Sequence, residues 1–192
     1  MAKTMWKPGT FIYPIPAVMV SCGNMEKSNI ITVAWTGILN TNPAMCYISV
    51  RPERYSYNII KKTGEFVINL TSKDLTYATD WCGVKSGRDF DKFKEMKLTK
   101  EKCNFVNCPA IKESPVSIEC KVKEIKELRK SYYVYGGGII NKCRWKVHWW
   151  KRGFWHNKMW FNCVCKWKIF RTWETSRKIW IFSEKEKIKY KL

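Results

Sequence analysis

The chain has 192 residues, with 36 Lys+Arg against 16 Asp+Glu and 11 Trp. That length suits one domain whose core needs no disulfide support, and no run of about 18 apolar residues offers a membrane-spanning helix. Nine cysteines at irregular spacing fit a reducing compartment better than a secreted disulfide framework, and MAKTMWKPGT lacks the apolar region of a signal peptide, so the expected location is the cytoplasm.

In chain order, Phe11 to Val20 is apolar and β-branched, and Pro14 and Pro16 confine it to an edge or to the start of a strand. Cys22-Gly23-Asn24 predicts a turn, Asn29 to Thr36 a strand holding Trp35, Asn40 to Pro43 a loop, and Met45 to Val50 a buried strand stopped by Arg51-Pro52. Ser56 is placed to cap a short helix over Tyr57 to Lys62, with Gly64 just past its end. Glu65 to Thr71 returns to strand, and Asp74 to Asp80 predicts a second short helix. Gly83 to Asp91 predicts a loop long enough to be functional, and the period of two in Pro115 to Val122 predicts a half-buried strand. Short strands broken by turns, with few short helices, predict an antiparallel β-barrel or sandwich.

The first 128 residues contain no His, which excludes a Ser-His-Asp or Cys-His pair there, and neither a Walker loop nor a G-x-G-x-x-G turn is present. A chain without an acid–base or nucleophilic set commonly leaves the difficult step to a cofactor. Cys82 has no second thiol at C-x-x-C spacing and reads as an inert buried residue.

The motifs SCG, NIITVAWTG, ISVRPERYSYNII, GEFVINL and DWCGVKSGRDFDKF, spread over residues 5–128, resemble the flavin reductase and flavoredoxin family. The resemblance implies a mainly β fold, an FMN-binding split barrel: a Greek-key antiparallel barrel with short helices. It also implies a homodimer with FMN near the subunit interface. Electrons would pass from NADH or NADPH through the flavin to free flavin or a protein acceptor. The alternative it leaves is an FMN-binding electron carrier with no reductase turnover of its own.

By that similarity Asn29, Trp35, Ser56 and Lys92 fall on FMN-contacting positions, and Thr32, Thr36, Arg51, Arg54 and Tyr57 lie in the same motifs. Trp35 would lie beside the ring, Asn29 and Thr36 would meet ring or ribityl groups, Ser56 and Arg54 the phosphate, and Lys92 would be a nearby cation. Each has a plainer reading. Trp35 could fill the barrel, Ser56 could only cap its helix, Asn29 could be a turn residue, and Arg51, Arg54 and Lys92 could be surface charges.

Composition breaks at residue 129. Residues 1–128 carry 19 Lys+Arg and 13 Asp+Glu, whereas 129–192 carry 17 and 3 with eight of the Trp, both His and no Asp. Interleaved cations and aromatics could form a single-strand nucleic-acid surface. Cys143, His148, His156, Cys163 and Cys165 match no familiar zinc spacing. The favoured reading is a reading-frame slip near codon 129. Permitted codons read one base later resemble, for Arg129 to Tyr135, what a flavoredoxin-like protein carries after its Glu-Leu and, for Arg171 to Ser183, what it carries near its C-terminus. On that reading the domain is an incomplete barrel over 1–128 followed by an aberrant basic tail, with unpaired sheet edges and low stability.

Overall fold

The computed structural model describes residues 3–128 and 131–143, together with short strands at 162–165, 168–171, 178–179 and 190–191. The elements are β1 (Ile15–Pro16), β2 (Val18–Gly23), β3 (Ser28–Val33), β4 (Thr36–Thr41) and β5 (Ala44–Val50), then α1 (Tyr55–Thr63) and β6 (Glu65–Leu70). A 3-10 turn leads into α2 (Thr76–Val84), followed by α3 (Lys92–Glu95), β7 (Lys100–Glu101), β8 (Ala110–Ile111), β9 (Val116–Leu128) and β10 (Ser131–Cys143). Of the strands beyond, β11 (Asn162–Cys165) pairs with β1 and with β12 (Lys168–Arg171), and β13 (Lys178–Ile179) pairs with β14 (Tyr190–Lys191). Among the described residues no helix is long and apolar enough to cross a membrane.

The main sheet is antiparallel in the order β3-β2-β6-β9-β10-β5-β4. Its outermost strands, β3 and β4, are consecutive in sequence and separated only by Ala34 and Trp35. Two residues can join the ends of a seven-stranded sheet only if the sheet curls until those ends meet, which closes a barrel. The amide of Ser49 on β5 donates to the Trp35 carbonyl at 2.8 Å, which carries the β4–β5 pairing back into this link.

Alternation along the strands fills two layers. Val18, Val20 and Cys22 of β2 face the barrel interior with Ile48, Val50, Phe66, Ile68 and Cys120, and Tyr57 and Ile60 of α1 close this core. The opposite face of the same region, with Met19 and Ile30, is covered by Leu75, Ala78 and Cys82 around α2 and by Phe93 of α3. Both faces of β2 are therefore buried.

Several boundaries differ from the sequence reading. The strand expected over Asn29 to Thr36 ends at Val33, and Thr36 opens the separate strand β4. Asn40 to Pro43, expected as a loop, is largely the end of β4 and a tight turn into β5, with a cis Asn42–Pro43 bond. α1 begins two residues earlier than expected, so its N-cap is Arg54 and Ser56 lies inside the helix. Gly64 ends α1 as expected: its φ of 68° is left-handed, and its amide donates to the Ile60 carbonyl at 2.8 Å.

The composition break at 129 is not a break in the sheet. β10 lies between β9 and β5, with Tyr132 opposite Val50 and Glu127. Of the thiols and imidazoles weighed as zinc ligands, His148 and His156 lie outside the described residues.

Candidate anion-binding cleft at the start of helix α1

Asn29 on β3 is buried, and its Nδ2 donates to Ser56 Oγ on α1 at 2.8 Å. This bond ties the barrel wall to the first turn of the helix. Ser56 is thus a bonding partner in the cleft floor and not the helix cap, because its hydroxyl is turned inward and α1 has no side-chain cap at all. The Tyr57 amide donates to the Arg54 carbonyl at 2.9 Å, the amides of Tyr55 and Ser56 have no side-chain cap, and that end of a helix favours negative charge.

Around this helix end lies a cleft of about 100 Å³. Asn29 and Ile31 line it from β3, Glu53 to Ser56 from the start of α1, and Cys82 to Arg88 with Lys92 from the opposite wall. About 10–15 Å³ of such space holds one water, so the cleft has room for a phosphate-sized group.

Lys92 decides the electrostatics. It is only 4% exposed, and among the described residues the single hydrogen bond of its Nζ runs to the Cys82 carbonyl at 2.7 Å. Burial pushes its pKa below the ordinary lysine range, partly offset by the thiols of Cys82 and Cys22, while Arg54 pushes it further down. A buried ammonium with one of three donors used and no carboxylate beside it is costly unless an anion completes it. Lys92 sits in the first turn of α3, whose N-cap Asp91 accepts from the amides of Phe93 and Lys94, and this cap fixes where the lysine projects.

The nearby thiols are not reactive groups. Burial pushes Cys22 up to about 12 and Cys82 up to about 11. Cys82 is fully buried, as its sequence context suggested, and a neutral thiol is a poor nucleophile.

Of the nine residues named from sequence, Asn29, Arg54, Ser56 and Lys92 line this one cleft. Thr32 sits beside it, where its hydroxyl donates to the Thr79 carbonyl and its Cβ lies under Gly83. Thr36 donates to the Tyr47 carbonyl at 2.7 Å. Arg51 is exposed outside the lining, and Tyr57 is a core residue stacked on Tyr132 with ring centroids 5.0 Å apart. Trp35 is 43% exposed, which rules out the barrel-filling reading, and it lies in the bend between β3 and β4, outside the cleft lining. Sequence reasoning missed Lys85 and Arg88 as cleft cations; their place in the Gly-containing loop after α2 was the available signal.

A larger groove of about 600 Å³ lies elsewhere, beside the start of α2. Asp74, Glu95 and Glu113 line it against the single cation Lys97, so its balance is acidic where that of the first cleft is basic.

The sequence pattern of the flavin reductase like domain matches residues 10–138. The chain belongs to that family. An uncharacterised protein of Pyrococcus abyssi is 31% identical over 116 residues, covering 60% of this chain and 66% of the relative, so the chain spans just under two thirds of that protein's length. Flavoredoxin of Desulfovibrio vulgaris (Miyazaki F) shares 26% identity, with 91% of this chain and 96% of that one superposed at a TM-score of 0.80. A structure described as a flavin reductase with a split barrel domain, from Shewanella frigidimarina, shares only 19% identity but superposes at 0.72 over 85% of this chain and 84% of that one. The fold is a split barrel of the flavin reductase-like type. The family match runs ten residues past the composition break, into β10.

Proposed function

We propose that this protein binds FMN with its phosphate in the α1 cleft and acts as a flavin reductase-like oxidoreductase, carrying electrons from NADH or NADPH to an acceptor. The observation that carries the reading is Lys92, a buried cation lacking an anionic partner among the described residues and placed beside an uncapped helix end. Family membership supports a flavin, and a basic cleft with room for a phosphate supports FMN as that flavin.

When bound, the flavin would supply hydride and electron chemistry that no side chain here can perform. The residues bind and orient. The α1 amides with Lys92 and Arg54 would hold the phosphate, and Asn29 would fix the helix end against β3 through Ser56. The exposed Trp35 would offer an aromatic face to the ring. Lys92 places a positive charge near the ligand and tunes it electrostatically, without acid–base turnover.

The apolar side chains of Trp35, Ile38 and Leu39, exposed at and just before the terminal strand β4, support a homodimer. Steady-state oxidation of NADH or NADPH by the FMN-loaded protein tests the enzymatic part. Turnover supports a reductase, whereas reduction of the bound flavin only by a partner protein, without nicotinamide oxidation, supports the electron carrier that the flavoredoxin likeness keeps in view.

A further inference from the structure

The wall of the cleft opposite α1 is a strap over residues 84–90. It hangs from the end of α2, where the Lys85 amide donates to the Trp81 carbonyl at 3.0 Å. It is folded on itself by the amides of Asp89 and Phe90, which donate to the Ser86 carbonyl at 3.2 Å. Arg88 Nη2 reaches across to the Glu53 carbonyl at 3.4 Å. At its middle, Gly87 rests on the side chain of Asn29 so closely that a Cβ there would overlap the Asn29 carboxamide. The backbone of Gly87 is not left-handed, unlike that of Gly23 and Gly64. The missing side chain, and not a special φ, is what this position requires.

We propose that Gly87 is a positioning residue for the ligand phosphate: by letting the strap rest directly on Asn29, it sets the width of the cleft and holds Arg88 against the start of α1. Asn29 cannot give way to a larger residue, because it is 3% exposed and its amide is committed to Ser56. An alanine at 87 therefore displaces the strap outward and takes Arg88 with it. The inference rests on the reading that the cleft holds a phosphate, and the test separates the two.

Four chains are compared: wild type, Gly87→Ala, Asn29→Ala and the double variant. Amide hydrogen exchange of the ligand-free chains reads the strap alone. Exchange at Asp89 and Phe90 rises in Gly87→Ala and returns toward the Asn29→Ala level in the double variant, since without the carboxamide the new methyl has room. Affinity for FMN falls about tenfold in Gly87→Ala, while affinity for riboflavin, which lacks the phosphate, is unchanged. Unaltered exchange in Gly87→Ala, or an increase of the same size whether or not Asn29 is present, overturns the role of Gly87. Should Gly87→Ala alone fail to fold, a folded double variant supports the clash and an unfolded one overturns it. A wild type that holds no FMN overturns the reading of the cleft, and the exchange comparison then still decides Gly87.

Discussion

Lys92 is stabilised less by its own surroundings than by what they lack. In the free protein its charge is desolvated against one carbonyl, so Lys92→Met removes a burial cost, and the unfolding midpoint is expected to hold or rise. The same change deletes a charge-assisted contact to the phosphate, and FMN affinity is expected to fall about 10- to 100-fold by fluorescence titration. A merely structural lysine would lose stability and leave affinity alone. The lowered pKa adds a pH signature. Between that value and the ordinary lysine pKa of about 10.4, the native protein has released a proton that the unfolded chain keeps. The lysine's contribution to stability therefore rises with pH across this window, and affinity for a phosphate dianion falls. Cys82 and Cys22, raised to about 11 and 12, act on stability in the opposite sense. The check is thus the pH dependence of FMN affinity in wild type against Lys92→Met, in which the fall across the window is expected to disappear. How much of this was legible varies by residue. Asn29, Ser56 and Lys92 were reached through family motifs, yet D-K-F-K-E reads locally as a solvated run. Nothing local says that the Lys92 ammonium meets the carbonyl of residue 82. Tyr57 shows the converse, a motif residue whose ring is spent on the core.

At the scale of elements, β10 carries the barrel. It is hydrogen-bonded to β9 on one side and β5 on the other, and Gly136 lets it pass over Phe66 and Cys120. A Cβ at 136 would sit 2.8 Å from Phe66 Cζ and 3.0 Å from Cys120 Cβ. Gly136→Ala is accordingly expected to cost about 1–3 kcal/mol, read as a lower midpoint in urea. A chain ending at residue 128 would expose an edge of both β9 and β5, and it is expected to show neither a cooperative unfolding transition nor FMN binding. β10 was missed in sequence because the boundary was drawn where acidic residues stop, whereas a strand needs only its own alternation of side chains. β4 was missed for a different reason. Only Ile38 and Leu39 are apolar in it, both are exposed, and its pairing with β5 comes from a turn at Asn42-Pro43 that reads equally well as loop. The helix α1 and its Gly64 stop were legible because left-handed glycine is a local requirement.

Over the whole molecule, charge and composition divide the chain more sharply than the fold does. The net +6 of residues 1–128 suits an ordinary domain, and the remaining +14 falls on 64 residues. We propose that a frame slip produced this contrast. The family match continues to residue 138, so the nucleotide sequence across codons 129 to 145 is the place to look, and a verified uninterrupted frame would end the idea. The cleft itself is built from residues on the near side of the contrast, since every residue lining it lies between Asn29 and Lys92. The most direct test is the visible absorbance of the purified protein after incubation with excess FMN and desalting. The account expects flavin absorbance to travel with the protein in a near-equal molar ratio and to be lost when riboflavin replaces FMN. A protein fraction free of flavin, or equal retention of both compounds, would contradict a cleft built around a phosphate.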